Sequence, residues 1–209
     1  MDNSQDLVFL EKLHSSEASQ IFRVSFKGTE CCLKFHKDDD PGLAPDGRDL
    51  CRYRCESQAY RALQAHGVCG KGVPQFYETL ENLDPSAFEL NLQDFTEDKN
   101  LPCAILLEWL PDARPLRDLK WSPQRVEPLL AALDQIHQAG VIHNDAYPKN
   151  ILILQRQEGE RIVWIGFDVS IVFVEGRRDK LNYDDEVDLE NQLIRSSLLR
   201  LEFPGHEFA

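Results

Sequence analysis

The sequence of 209 residues lacks several features that mark specialised classes of protein. No apolar run approaches the ~20 residues of a membrane span, and we find no internal repeat or low-complexity tract. The amino-terminal stretch MDNSQDLVFLEKL has neither a basic segment nor a small-residue cleavage site, so it does not look like a secretory signal. We therefore expect one globular protein, long enough to bury a substantial core.

Positive charge is scarce relative to negative charge. The chain carries 23 Lys and Arg residues against 36 Asp and Glu residues, which gives a formal net charge of −13. Because such a chain repels phosphate backbones, neither nucleic acid nor an anionic membrane is an expected partner. We expect a small-molecule ligand or substrate; a protein partner is compatible with the sequence, but no pattern indicates one.

Cysteine spacing of the metal-binding kind is also missing. None of the 6 cysteines forms a Cys-x-x-Cys pair, so a zinc site is not expected. We expect reduced, structural thiols and, with no export signal, a cytoplasmic protein.

The order of predicted elements favours an α+β protein with two lobes and a cleft between them. Before residue 110 we expect a helix over 49–66 and strands over 7–13, 21–26, 31–35, 73–80 and 104–109, with a polar excursion over 81–100. After it we expect helices beginning near Ser122 and Asp184, separated by a hairpin of 151–154 and 162–165. Pro128 is expected either to delay the first of these helices or to kink it. The predicted domains are a β-rich lobe, 5–110, and a helical lobe, 111–209.

The chemistry is concentrated between the helix and the hairpin of the second half. There a polar loop carries His143, Asp145 and Asn150 between two apolar segments. A carboxylate that accepts a proton and an amide oxygen that ligates Mg²⁺ stand five residues apart on this loop, so both are able to face one substrate.

This loop resembles the catalytic loop of the protein-kinase-like superfamily, H-x-D-x-x-x-x-N followed by an apolar strand. Cys32-Leu33-Lys34-Phe35 looks like the strand with the kinase lysine, and Glu56 looks like its ion-pair partner. Leu107-Glu108-Trp109-Leu110 is similar to the hinge that meets adenine, which implies cofactor-binding roles for Glu108 and Leu110. The resemblance, which covers roughly residues 7 to 200, implies a two-lobed protein-kinase-like fold with a truncated helical C-lobe. The residues within these motifs are more similar to those of small-molecule kinases than to those of Ser/Thr kinases.

Three departures from that family pattern are visible. In register, Gly166 occupies the position of the metal-binding Asp, and Asp168 follows two residues later, ~6.6 Å along an extended strand. The turn between the first two strands has no glycine, and its Glu17 is expected to repel a triphosphate. Only 59 residues follow Asn150 and no Ala-Pro-Glu segment is present, so a protein substrate is not expected.

These departures leave three interpretations open. The first is a degenerate kinase-like protein whose cleft binds or transforms a small, partly apolar molecule, by cyclisation or isomerisation for example, without cofactors; Asp145 or His143 then serves as acid or base. The second is an atypical phosphotransferase acting on a small hydroxylated molecule. In it ATP and Mg²⁺ are cofactors, Asp145 orients the acceptor, Asn150 and Asp168 hold the metal, and Lys34 contacts phosphate. The third is a pseudokinase that serves as an interaction module.

Overall fold

The computed structural model describes residues 7–16, 18–37, 41–86, 88, 92, 95, 100–173 and 182–202, which form a mixed α+β fold. An antiparallel sheet of five strands makes the first part, in the order β1-β2-β3-β5-β4. Its strands are β1 (Leu7–Ser15), β2 (Ser19–Phe26), β3 (Thr29–His36), β4 (Phe76–Leu80) and β5 (Cys103–Glu108). Helix α1 (Arg52–Ala65) lies between β3 and β4 in the chain. This confirms the predicted fold class.

Alternation of apolar and polar residues accounts for the sheet. On β2, Phe22, Val24 and Phe26 are buried while the residues between them are partly exposed. The buried face is covered in part by Phe88, Leu92 and Phe95, which lie within the stretch predicted to be a polar excursion. Most of the remaining residues between 87 and 99 lie outside the described part of the chain.

The second part is built around two small sheets and two helices. Strands β6 (Arg114–Pro115), β8 (Ile151–Arg156) and β9 (Gly159–Trp164) form one sheet, and β7 (Val141–Ile142) pairs with β10 (Ile171–Val172) in the other. The helices are α2 (Val126–Gln138) and α3 (Tyr183–Glu202). The two parts meet after β5, and the division into domains near residue 110 stays a prediction. No helix among the described residues combines the length and the apolar character that crossing a membrane requires.

Pro128 delays the α-helix, as one of the two alternatives drawn from the sequence predicted, because α2 begins at Val126 instead of near Ser122. A short 3₁₀ turn, Pro123–Arg125, leads into α2, and Pro128 is the third residue of that helix. The first four amides of a helix have no partner within it, so a proline there sacrifices no hydrogen bond.

The back of the junction between the two parts is held by polar contacts. Arg161 on β9 donates from Nη1 to Glu108 Oε1 at 2.7 Å and from Nη2 to Oε2 at 2.9 Å. Its Nε also donates to the carbonyl of Lys71. The carbonyl of Gly72 accepts from the backbone N–H of Trp164 at 2.8 Å. These hydrogen bonds fix the segment that precedes β4 to the second part of the fold.

Candidate active site

The loop between β7 and β8 brings Asp145 and Asn150 together. The side-chain amide of Asn150 donates to Asp145 Oδ2 at 2.7 Å and to the Asp145 carbonyl at 2.8 Å. A 3₁₀ turn, Pro148–Asn150, makes this approach possible by bringing the chain back on itself. Asp145 is therefore held from within its own loop, with its carboxylate on the cleft.

A buried glutamate on α3 anchors the same loop. Glu190 is 4% exposed, and its Oε2 accepts the backbone N–H of His143 at 3.1 Å while its Oε1 accepts that of Asn144 at 2.6 Å. His137 Nε2 lies 2.8 Å from Oε2. Asn144 needs this support because its backbone has a positive φ of 62°, which costs free energy for a residue other than glycine. Glu190 fixes the backbone directly ahead of Asp145.

His143 does not reach the cleft. It is fully buried, and its Nε2 lies 2.9 Å from the Ile165 carbonyl. Its ring lies 4.6 Å from that of Phe167, and the Phe167 ring lies 5.4 Å from that of Tyr60 on α1. Burial lowers the pKa of His143 more than nearby carboxylates raise it. The ring therefore belongs to an aromatic column between α1 and the loop of residues 143–150, and it does not line the cleft.

Lys34 on β3 and Glu56 on α1 form a buried ion pair. Lys34 Nζ lies 2.7 Å from Glu56 Oε2, and His36 Nε2 lies 2.8 Å from the same oxygen. Burial alone would raise the pKa of Glu56, but the charge of Lys34, with help from His36, outweighs burial and holds it at about 2. Glu56 is thus ionised at neutral pH and keeps the lysine at the cleft.

The chain is not extended between Gly166 and Asp168, so the predicted separation along a strand is wrong. Gly166 has a φ of 82°, and a Cβ built on it would lie 3.0 Å from Asn150 Oδ1. The turn brings Asp168 into the cleft, where its Oδ2 lies 2.8 Å from Arg52 Nη1 and 3.9 Å from Lys34 Nζ. Among the described residues, the contacts of the Asp168 carboxylate all use Oδ2, so Oδ1 faces no protein partner in that part of the chain. Whether Gly166 replaces a metal ligand stays a prediction.

The cleft is large and is lined by four acidic side chains, Glu56, Glu108, Asp145 and Asp168, as well as by cationic ones. Its volume is ≈ 1170 Å³, at or above the usual range for small-molecule sites. Four cationic side chains line it: Lys34, Arg48, Arg52 and Lys149. Lys149 Nζ lies 2.9 Å from Asp145 Oδ2. Three of the four cations are paired with acidic side chains of the same cleft, so its charge alone does not identify the ligand.

The predicted hinge, residues 107–110, contributes apolar side chains to the wall of the cleft, while its Glu108 side chain is already bound by Arg161. Leu107, Leu110 and Ile165 line the cleft on this side. The Glu108 carboxylate is held by Arg161 and also accepts the backbone N–H of Gln75 at 3.0 Å. Burial alone would raise the pKa of Glu108, but the hydrogen bonds from Arg161 and from the Gln75 backbone, together with the charges of Arg161 and Arg156, outweigh burial and lower it. Glu108 is thus able to serve a cofactor through its backbone only.

The turn between β1 and β2 is closed by serine instead of glycine. Ser16 Oγ accepts the backbone N–H groups of Ala18 at 3.3 Å and Ser19 at 3.1 Å. Ser16, Ala18 and Ser19 line the cleft on the side of the sheet. Glu17 lies outside the described residues, so its expected repulsion of a triphosphate stays a prediction.

The side chains present are suited to magnesium shared with phosphate rather than to a metal held by protein alone. In the described part of the chain, no three His, Cys, Asp or Glu residues gather as a metal site. The amide oxygen of Asn150 faces Gly166, and Asp168 contributes one carboxylate on the same cleft. Mg²⁺ in proteins is commonly bound by one or two carboxylates together with substrate phosphates. These two residues fit that pattern.

A comparison with known families finds one similarity, to a family of kinases. Residues 106–207, just under half of the chain, match the profile of the lipopolysaccharide kinase (Kdo/WaaP) family. No curated protein matches the chain at a significant level. The matched part contains the catalytic loop, the following hairpin and α3. The chain is thus similar to a family of kinases over these residues, and its mixed α+β fold is consistent with a kinase-like fold.

The match corrects the first interpretation drawn from the sequence. A degenerate cleft that works by cyclisation or isomerisation, without phosphotransfer, conflicts with similarity to a family of kinases. The interaction-module alternative gains no support either. The mistake came from weighing Gly166 as a lost ligand without knowing that the chain turns there and carries Asp168 into the cleft.

Three residues of the site were missed by sequence analysis. Lys149 stands next to Asn150 within the motif, so its charge was visible but had no assigned partner. Arg52 lies four residues before Glu56, one helical turn away on the same face, and this spacing was an available signal. Glu190 lies among other acidic residues in the first half of α3, and its buried position had no signal in composition.

Proposed function

We propose that the protein is a kinase that transfers the terminal phosphoryl group of ATP to a hydroxyl group of a small molecule. The observation that carries the proposal is the buried Lys34–Glu56 pair, which lies on the same cleft as Asp145 and Asn150. Burying two charges is costly unless they are paired, so a lysine retained there indicates a ligand of opposite charge. Similarity of residues 106–207 to a kinase family supports the same reaction.

Each polar residue of the cleft has a distinct role in this proposal. Asp145, held by Asn150, orients the acceptor hydroxyl and takes its proton. Asn150 Oδ1 and Asp168 Oδ1 are the atoms that would hold Mg²⁺, which supplies neutralisation of phosphate charge when it is bound. Lys34 contacts the phosphates, and Lys149 neutralises the group being transferred. The wall formed by Leu107, Leu110 and Ile165 takes the adenine ring.

For the acceptor we propose a hydroxylated saccharide or a molecule that carries one. The matching family is named for lipopolysaccharide, and the cleft is large enough for an acceptor beside a nucleotide. His143 has no role in proton transfer here, because it is buried behind the loop. It positions Asp145 only through the backbone.

The test begins with binding of ATP in the presence and absence of Mg²⁺, measured by calorimetry. Binding should require Mg²⁺ and be lost in Lys34→Met. Because that variant leaves Glu56 buried without its partner, the double variant Lys34→Met, Glu56→Gln keeps the pocket neutral and separates misfolding from loss of a phosphate contact. ATP affinity that is unchanged in the double variant would contradict the assigned role of Lys34.

Turnover is then measured as ADP release with free sugars and lipopolysaccharide as acceptors. Asp145→Asn should lower kcat by about 100-fold or more, the usual contribution of a general base, with ATP affinity nearly unchanged. Asp112→Asn is the matched control, because Asp112 is exposed and has a φ of 61°, which asparagine tolerates. Equal kcat in the two variants would contradict the proposed reaction.

A further inference from the structure

A second, smaller cavity adjoins the cleft behind Asp168, and we call it the side cavity. Its volume is ≈ 230 Å³, and it lies between residues 48–58 and 168–172. Arg48, Arg52, Asn144, Asp168 and Val169 border both spaces. None of Lys34, Glu56, Asp145 and Asn150 lines the side cavity. It is therefore open to a ligand that also enters the cleft, yet it is separate from the proposed phosphate contacts.

The side cavity is built around two arginines whose partners are acidic. Arg48 Nε lies 2.7 Å from Asp46 Oδ2, and Arg52 Nη1 lies 2.8 Å from Asp168 Oδ2. The remaining carboxylate of the lining, Asp49, is occupied by Arg54 at 2.7 Å. The side chains of Arg48 and Arg52 are 36% and 47% exposed, so both remain accessible to solvent and to a ligand.

We propose that the side cavity binds an oxyanion, a carboxylate or a phosphate, carried by the hydroxylated acceptor, through Arg48 and Arg52. This rests on the proposed kinase function and names a property of its acceptor. The planar guanidinium binds such groups with two parallel hydrogen bonds, which fixes orientation as well as position. Asn144 borders the cavity and directly precedes Asp145, so an anchored acceptor presents its hydroxyl toward the catalytic carboxylate.

Metal binding at Asp168 would prepare this subsite. Arg52 is attracted to Asp168 because the carboxylate carries one negative charge. A divalent ion on Oδ1 changes the local charge from −1 to +1, and the attraction for the guanidinium becomes a repulsion. Arg52 is then available to an incoming oxyanion. The proposal therefore predicts an order of binding, with the metal and nucleotide before the acceptor.

Inorganic phosphate is the probe for this subsite, and its dissociation constant is measured by calorimetry. The protein is first saturated with Mg²⁺ and a non-hydrolysable ATP analogue, which fills the nucleotide site. Arg48→Gln and Arg52→Gln should each weaken phosphate binding about tenfold or more, the scale of a charge-assisted contact. Arg117→Gln, on an exposed turn with 59% exposure, should leave it unchanged. Undetectable phosphate binding, or equal affinity in all variants, would overturn the proposal.

Asp168→Asn tests the subsite without nucleotide. This change removes the charge that holds Arg52 and should strengthen phosphate binding to the free protein several-fold, an effect that Arg52→Gln abolishes. No gain in Asp168→Asn would overturn the subsite, whereas failure of the ATP analogue to bind would overturn the kinase function alone. A loss of analogue affinity in Arg52→Gln with phosphate affinity retained would assign Arg52 to the nucleotide and overturn its role here.

Gluconate and acetate distinguish an acceptor group from a free anion. They share a carboxylate, but only gluconate has a hydroxyl chain that extends into the cleft. Gluconate should bind several-fold more tightly than acetate to the protein loaded with Mg²⁺ and the ATP analogue. Equal affinity would indicate a site for free anions and would overturn the link to the acceptor.

Discussion

Removal of the Glu190 carboxylate should loosen the catalytic loop and destabilise the whole protein. In Glu190→Ala, the backbone N–H groups of His143 and Asn144 lose their acceptor in a buried region. Each buried donor left without a partner costs about 1–3 kcal/mol. His137 loses its neighbour as well. We expect a loss of about 3–5 kcal/mol in the free energy of unfolding, a magnitude that follows from these unsatisfied groups.

Thermal unfolding and hydrogen exchange measure this effect. For a protein of this size each kcal/mol lowers Tm by ~2–4 °C, so Tm should fall by about 10 °C. The amides of His143 and Asn144 should also exchange faster than in the wild type. Glu190→Gln keeps one carbonyl oxygen for two donors, so its loss should be intermediate.

Asp188→Ala is the matched control, since it removes a carboxylate from the exposed face of the same helix. Its Tm should stay within about 1 °C of the wild type, as surface substitutions usually change stability by less than ~0.5 kcal/mol. If Glu190→Ala unfolds at the wild-type temperature and protects both amides as well as the wild type does, then α3 does not anchor the loop.

Two further predictions concern Glu56 and Gly166. The pKa of Glu56 is about 2 in the folded protein and near 4.5 when unfolded. Its contribution to the free energy of unfolding is therefore complete above pH 4.5 and falls as the pH drops toward 2. At ~1.4 kcal/mol per pKa unit, this contribution amounts to about 3 kcal/mol. Burial also lowers the pKa of His36, which adds acid lability below pH 6.5, so the Glu56 part is the difference between the urea unfolding curves of wild type and Glu56→Gln. If the two proteins respond equally between pH 5 and 3, the assigned ionisation is wrong. Gly166→Ala should weaken Mg²⁺ binding, because the added Cβ would press on Asn150 Oδ1. Gly28→Ala is the control, since Gly28 has a similar φ of 79° and a Cβ there would meet nothing within 4 Å. Equal effects of the two changes on stability and Mg²⁺ binding would refute this contact.

Local patterns predicted much of the fold, because each depended on neighbours in the sequence. The alternation on β2 and the apolar stripe of α2 lie where they were expected. The buried side chains of Phe88, Leu92 and Phe95 were missed, since polar residues around them dominated the average over 81–100. Their spacing of three and four residues was the signal to use.

For the site, the sequence placed residues on the cleft more reliably than it described their contacts. Lys34, Glu56, Asp145 and Asn150 all line one cleft. The contact of Arg52 with Asp168 joins residues 116 apart, and no local pattern indicates such a pair. The turn at Gly166 was missed because an extended strand was assumed to continue. A glycine at the end of a strand was the only available sign of it.

The hydrogen bonds made by Arg161 join the two parts of the fold and limit how the cleft between them is able to open. Arg161 holds both Glu108, at the end of β5, and the carbonyl of Lys71, which precedes β4. We therefore expect β4 and β5 to move together with the second part of the fold. Any opening of the cleft is then expected to occur at β1 and β2, which lie at the opposite edge of the sheet from β4.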